Sequence, residues 1–490
     1  MTGRHSTSMA KAKNGKSLAT EGCLWAVVIV LLIVQRRPVS WAVLLTMLQY
    51  AIEVTLKCSH RKNYSTESSQ WRKGGDDGGL MEVALLASLF HSCRMADDYN
   101  NLAKLVTLVS STNVFLTCIS FVVATYLDQT LHTIHSAVFA FTWLCLTALS
   151  RGRHASLTKG ESGVLVTLST ILISETAMQI KCYSSCTDIS HEIVSLMGGA
   201  GCLATCIALV IWRFPWWIRL QLHLVGPLAI IETGLAWRGY SPLFNDYLPR
   251  CLDWLVGFLV SPEGGYPRYF GLIYWLVVFV VSFVPTRLVL ETTDLSVVIR
   301  RKWFHAVAVI LFSPVTQILP QLMSLSYAIA LCVLAVLEDL RRDLPALQSF
   351  YLSFIDPTKD DPELIVSHMF LILGCALPLW ISEWVGDTGT AKLLLSQWGI
   401  LSLGIGDAAG AVIGSWYGKH QWGQNRRTIE GSLAMWTSVT ITGIAFIPVD
   451  NHLALFVAST IATLMEAFTL LMDNLVLPIL GSTVILLLQK

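Results

Sequence analysis

Long runs without a single Asp, Glu, Lys or Arg recur along this chain and restrict its fold more than any other feature. Leu105–Leu127, Ile193–Trp212, Leu364–Ser382 and Gly431–Val449 are each 19 to 23 residues long. A helix needs about 20 apolar residues to cross a bilayer core. Composition agrees: 54% of the 490 residues are apolar and 14% are charged, against about 45–50% and about 25% in soluble domains. The expected fold class is all-α, a polytopic transmembrane helical bundle.

Apolar stretches fall near 23–34, 40–56, 80–93, 103–127, 132–150, 163–181, 193–212, 221–237, 251–260 and 268–289. More follow near 303–319, 321–337, 364–382, 393–415, 431–449 and 452–489, the last long enough for two helices. Several early ones are short, so about 13–15 true spans are expected. Trp303–Leu337 is 35 uncharged residues interrupted by Pro314 and Pro320, which reads as a hairpin of two spans. No internal repeat is evident, which weakens an inverted-repeat transporter reading. The chain divides into a basic tail (1–22), an N-terminal multi-span region (23–290) and a C-terminal region (291–490) that holds the chemistry. The tail is polar, and no small-residue cleavage site follows 23–34, so no cleavable signal peptide is expected. A net charge of +1 offers no field for nucleic acid. Cys182/Cys186 and Cys202/Cys206 have i,i+4 spacing and, like the other cysteines, read as buried free thiols.

Cytoplasmic loops collect Lys and Arg. That rule puts the tail (Arg4, Lys11, Lys13, Lys16), the 57–79 loop and Arg300-Arg301-Lys302 in the cytosol. Counting crossings from Lys302 then brings the 341–363 segment, the 416–430 loop and Asp473-Asn474 to the same face. Only Glu383, Trp384, Gly386, Asp387, Lys392 and Asp450-Asn451 fall opposite. One-sided polarity suits a membrane enzyme with its active site at the cytosolic surface; a transporter or channel would instead line a path through the bilayer.

The densest signal is Gly404–Ala434, GIGDAAGAVIGSWYGKHQWGQNRRTIEGSLA. Gly406, Gly410, Gly414 and Gly418 form one helical stripe. Small residues at that spacing usually let membrane helices pack closely. Asp407 changes the balance, since an ionisable group inside a span by default marks a functional site. Arg426, Arg427, Thr428 and Glu430 follow, with Gly431 at the mouth of the next span. Arg offers phosphate a planar bidentate fork, and amides at the start of the next helix would add a positive dipole end. Topology alone also demands a basic pair at such a boundary.

This segment resembles the signature of dolichol kinases, DxxAxxxGxxxG, eight residues, then KTxEGxxA. Asp407, Gly414, Gly418, Thr428, Glu430, Gly431 and Ala434 stand at matching positions. Gly410 replaces the usual Ala, and Arg426-Arg427 a Lys-Lys pair. The KTxEG portion is also similar to phosphatidate cytidylyltransferases, so it speaks for CTP more than for one acceptor. Arg301-Lys302-Trp303-Phe304-His305 resembles the family's RKxFH element. Phe354-Ile355-Asp356 with Ile365-Val366-Ser367-His368, and Glu466 with Asp473-Asn474-Leu475 and Pro478, resemble further elements in order.

The resemblance implies transfer of the γ-phosphoryl of CTP to the hydroxyl of dolichol at the endoplasmic reticulum membrane, feeding protein glycosylation. On that reading Lys302, Arg426 and Arg427 neutralise the triphosphate, and Gly414 and Gly418 permit its close approach. Asp407, assisted by Asp473 or Glu466, holds Mg²⁺ or accepts the alcohol proton, with Asp407 and Asp473 as metal ligands. His305 joins the catalytic set, and Thr428, Glu430 and Gly431 the nucleotide set. Trp422 is a candidate for stacking on the base. Expected partners are dolichol, CTP and membrane lipid. Plainer readings stand beside these: Lys302 and His305 as a topology signal and an interfacial histidine, Glu338 with Arg341 and Arg342 as a solvated ion pair, and tryptophans such as Trp216-Trp217, Trp416 and Trp422 as an interfacial belt. Glu466, read one to two turns inside a span, is a functional candidate. The rival activities are phosphorylation of phytol or diacylglycerol, and synthesis of a CDP-lipid.

Overall fold

Pro320 divides the 303–337 stretch as its position predicts. Helix α2 (Val297–Ile318) ends one residue before Leu319, whose φ of −129° and ψ of 60° turn the chain, and Pro320 opens α3 (Pro320–Leu340) at its first turn. Proline suits that position because its missing N–H would be unpaired there anyway. Pro314 lies inside α2 without ending it.

The computed structural model describes Gln221 and residues 255–291, 297–352, 362, 364–384, 390–422, 427–448, 452–468 and 472–488. The 1–22 tail, the 57–79 loop, the apolar stretches between 23 and 250, Trp216-Trp217, the four spaced cysteines, Phe354-Ile355-Asp356, Asp450-Asn451 and Arg426 lie outside the described residues. Helix α1 (Tyr269–Glu291) precedes the α2–α3 hairpin, followed by α4 (Pro345–Leu352) and α5 (Ser367–Trp384). Next come α6 (Thr390–Gly399), a π-helical segment (Ile400–Asp407), and α7 (Ala408–Tyr417). Helices α8 (Ile429–Phe446), α9 (His452–Phe468) and α10 (Asp473–Leu488) complete the described fold. The 452–489 stretch is thus two helices, as its length predicts. Tyr269–Val289, Pro320–Leu340 and Lys392–Tyr417 are each long and apolar enough to cross a membrane. The protein is an all-α helical membrane protein. Cys332 and Cys375 are free thiols; Cys375 is buried as expected, whereas Cys332 is half-buried.

The core sits around α10. Every residue from Asp473 to Leu487 is buried, the pattern of a helix that is apolar all round because protein encloses it. Helices α5, α6 and α9 pack on it. Gly481 leaves room for the indole of Trp398, which is wholly buried and donates from Nε1 to the Leu477 carbonyl at 3.3 Å. Helix α1 is the opposite case, with most of its large apolar side chains exposed.

The 393–415 stretch is not one regular α-helix. It widens into π geometry over Ile400–Asp407 before returning to α. Such bulges often occur at functional sites, and this one ends on Asp407.

A second polar cluster was not legible from sequence. A two-residue hairpin, β1 (Pro262–Glu263) and β2 (Tyr266–Pro267), turns through Gly264 and Gly265, both at positive φ. That twist favours glycine. It sets Glu263 to accept from Gln321 N–H at 2.7 Å at the start of α3 and from Arg268 Nε at 2.9 Å. The buried Arg268 also bonds the Phe258 carbonyl at 3.1 Å and the side chains of Ser261 and Gln321. Ser324 donates to Glu383 at 3.3 Å beside it.

Candidate active site

Asp407 is 6% exposed and accepts from Lys302 Nζ; His305 Nε2 lies 3.9 Å from the same carboxylate oxygen. Lys302 and His305 sit one turn apart on α2, which packs against the π-helical segment and α7. His305 Nδ1 is 3.1 Å from the Arg301 carbonyl. A carbonyl only accepts, so Nδ1 carries a proton, which leaves Nε2 as the ring nitrogen that faces Asp407. Lys302, partly buried, and His305, buried, are therefore partners of a carboxylate as well as residues at a basic boundary.

A second ionic centre joins Arg427, Glu466 and Asp473. Arg427 Nε donates to Glu466 Oε1 at 2.8 Å, and Nη2 lies 3.6 Å from Asp473 Oδ2. One guanidinium thus bridges the last turn of α9 and the first residue of α10. Glu466 is not one to two turns inside a span: α9 ends at Phe468, so the carboxylate stands at the helix terminus. Asn474 braces this end of α10, taking its own N–H to Asp473 Oδ1 at 3.0 Å and its amide to the Ser367 carbonyl at 3.0 Å.

The glycine stripe connects the two centres. Side chains at Gly410, Gly414 or Gly418 would meet the Gly431 backbone or Thr428. The close approach these glycines permit is therefore that of α7 to α8, the packing reading. At 1.5 Å per residue, Gly414 and Gly418 place Thr428 about 10–16 Å along the helix from Asp407. Among the described residues, no three His, Cys, Asp or Glu side chains gather into a metal cage.

Thr428 caps α8, its Oγ1 accepting from Gly431 N–H at 3.2 Å. Ser432 N–H bonds the Thr428 carbonyl at 3.0 Å, and Ile429 N–H the His420 carbonyl at 2.8 Å. Glu430 receives its own N–H, the His420 N–H at 3.2 Å and His420 Nδ1 at 2.6 Å. These amide bonds, with the His420 side chain, hold the Glu430 carboxyl down to about 2. The first amides of α8 are thus engaged within the chain, so they are not open to phosphate as the sequence suggested; the dipole end remains.

Trp422 is tied down, with its Nε1 on Ser432 Oγ at 2.9 Å and its ring edge-on to Phe468. Trp416 and Tyr417 end α7 largely exposed, as belt residues would. The Glu338–Arg341 pair departs from expectation. Arg341 is fully buried and bidentate on Glu338, with both bonds at 2.6 Å, and Glu338 also accepts from Ile365 N–H at 3.0 Å. It is an interior clasp between α3 and the start of α5, not a solvated pair.

Half of the chain, 50%, is 31% identical to a dolichol kinase of Arabidopsis thaliana, covering 44% of that protein. The dolichol kinase of Schizosaccharomyces pombe is 31% identical over 38% of this chain and 39% of its own. For the dolichol kinase of Homo sapiens the figures are 32%, 37% and 36%. The chain spans less than half the length of these curated relatives. No family model matches the chain, and no solved structure matches it.

Proposed function

We propose, for a chain whose likeness to dolichol kinases supports assignment to that family, that it moves the γ-phosphoryl of CTP to the hydroxyl of dolichol, yielding dolichyl phosphate and CDP. The observation that carries the reading is the meeting of motif residues remote in sequence: Lys302 with Asp407, and Arg427 with Glu466 and Asp473. Phosphoryl transfer asks for positioning and charge neutralisation more than for covalent chemistry. Both cations are held in place by carboxylates, so they are oriented before nucleotide arrives.

A triphosphate competes with those carboxylates for the same cations. As Lys302 and Arg427 turn to phosphate oxygens, the negative charge of Asp407, Glu466 and Asp473 is less compensated, which raises their basicity and their attraction for a cation. Asp407 then stands beside His305, where either group can take the proton of the attacking hydroxyl. A divalent cation, Mg²⁺ by preference, fits these hard oxygen donors: Mg²⁺ is usually held by one or two carboxylates plus substrate phosphates, not by an all-protein cage. Asp407 and Asp473 are the residues that would hold it, each in its own centre and together with substrate phosphates, and it would neutralise charge on the triphosphate. Dolichol's tail stays in lipid while its hydroxyl reaches the surface, which suits a site facing the cytosol on the endoplasmic reticulum membrane.

The test is incubation of membranes carrying this protein with γ-labelled CTP and a panel of dolichol, phytol and diacylglycerol. Label in dolichyl phosphate with release of CDP is the expected result. Release of pyrophosphate would make it a cytidylyltransferase, and label in another lipid would reassign the acceptor.

A further inference from the structure

The chain around Arg427 is a narrow hairpin. Gln421 bridges Thr428 in antiparallel fashion, Trp422 N–H donates to the Arg427 carbonyl at 3.0 Å, and Ile429 N–H to the His420 carbonyl at 2.8 Å. The indole of Trp422 leaves this stalk in two directions. Its Nε1 donates to the buried Ser432 on α8 at 2.9 Å, and its ring packs at an angle against Phe468 with centroids 5.3 Å apart and planes at 63°. Phe468 ends α9 two residues beyond Glu466, the partner of Arg427. The indole and the guanidinium are therefore two struts between the same hairpin and the same helix end. One is held by an uncharged hydrogen bond and a ring contact, the other by charge.

We infer that Trp422, anchored by Ser432, is a positioning residue that fixes the Arg427 backbone so that its guanidinium points at the α9–α10 junction. An indole serving as a base platform gains from a free N–H; here the N–H is committed to Ser432 and the ring is packed against Phe468 within the chain. The inference rests on the CTP reading above for its catalytic consequence, though not for the bracket itself. Any phosphate that draws Arg427 away from Glu466 would break the ionic strut and leave the Trp422–Ser432 strut to hold the hairpin.

The experiment compares full-length wild type with Ser432→Ala, Trp422→Phe and the double variant. Each single change removes the same hydrogen bond from opposite sides, and Trp422→Phe keeps an aromatic ring against Phe468. Each is expected to raise KM for CTP about fivefold, the worth of one ordinary hydrogen bond, with kcat within about twofold. The double variant should be no worse than Trp422→Phe, and the preference for CTP over UTP and ATP should not change. Tryptic cleavage after Arg427 should quicken in both singles. A neutral Ser432→Ala with altered nucleotide preference in Trp422→Phe would overturn the inference in favour of base stacking. Unchanged cleavage in all variants would overturn it outright, whatever the nucleotide result. A wild type unable to use CTP would sink the CTP reading, with cleavage still deciding the bracket.

Discussion

Lys302 and Asp407 stand 105 positions apart in sequence and share an ion pair in which the carboxylate is buried and the ammonium partly so. Removing one partner of such a pair leaves the other uncompensated, at a cost of about 3–5 kcal/mol. Asp407→Ala is expected to abolish CTP-dependent phosphorylation while the protein still inserts into membranes, and to lower its thermal midpoint in detergent. The double variant Lys302→Ala/Asp407→Ala should regain much of that midpoint and none of the activity. Near-normal turnover by Asp407→Ala would remove the carboxylate from the site.

Arg427 serves two carboxylates through one planar group, which a lysine ammonium cannot do in the same geometry. Arg427→Lys is expected to keep activity, since it keeps the cation and restores the lysine usual at that position of the resembling signature. Arg427→Ala should raise KM for CTP by at least about tenfold, the scale of one charge-assisted contact. Steady-state kinetics at fixed dolichol decide it; an unchanged CTP dependence in the alanine variant argues against phosphate contact.

The glycines of the stripe are not equivalent. A methyl group at Gly410 would sit 3.2 Å from the Gly431 carbonyl oxygen, a tight fit offset by the better helix propensity of alanine, worth about 1 kcal/mol. One at Gly418 would drive into Thr428 and the Gly414 carbonyl. Gly410→Ala should therefore keep thermal stability within about 1 kcal/mol of wild type, while Gly418→Ala should displace the hairpin and cut activity. Equal effects from the two substitutions would contradict this packing.

Glu430 gives the start of α8 and its contact with His420 an acid dependence. Its folded value of about 2 lies below the usual 4.5. The carboxylate form is thus favoured by folding: its contribution is complete above about pH 4.5 and is lost as pH falls toward 2. Hydrogen exchange at the His420 amide, corrected for intrinsic rate, should show constant protection above pH 5 and falling protection below. Glu430→Gln should show weak protection at every pH.

Glu338 and Arg341 form the interior clasp. Glu338→Ala is expected to cost about 3–5 kcal/mol, and replacing both residues by apolar side chains of similar volume should recover most of it. Thermal denaturation of the purified protein distinguishes the two cases.

What the sequence disclosed followed from local chemistry. Pro320 had to break a 35-residue apolar run, and 452–489 had to be two helices because one bilayer crossing needs only about 20 residues. Asp407, costly in a span, had to find a partner. What stayed hidden depends on tertiary placement. Glu338 and Arg341 read as surface residues until α5 is laid over them. Nothing in ILSLGIGD announces π geometry, because the widening is a backbone adjustment with no side-chain signature. The first turn of α8 looked like an open anion cradle, yet Thr428 and Glu430 close it from within the chain. Trp422 reads as a stacking surface from sequence, and only the nearness of Ser432 and Phe468 reveals how its ring is held.

Helix α10 lies enclosed by α5, α6 and α9, all of which leave the ribosome before it does. Its slot must stay open, or be held by lipid or a chaperone, until those earlier helices are already inserted. Among the described helices, assembly thus places the central piece after the frame around it, and until Asp473 arrives the ionic centre around Arg427 stays incomplete.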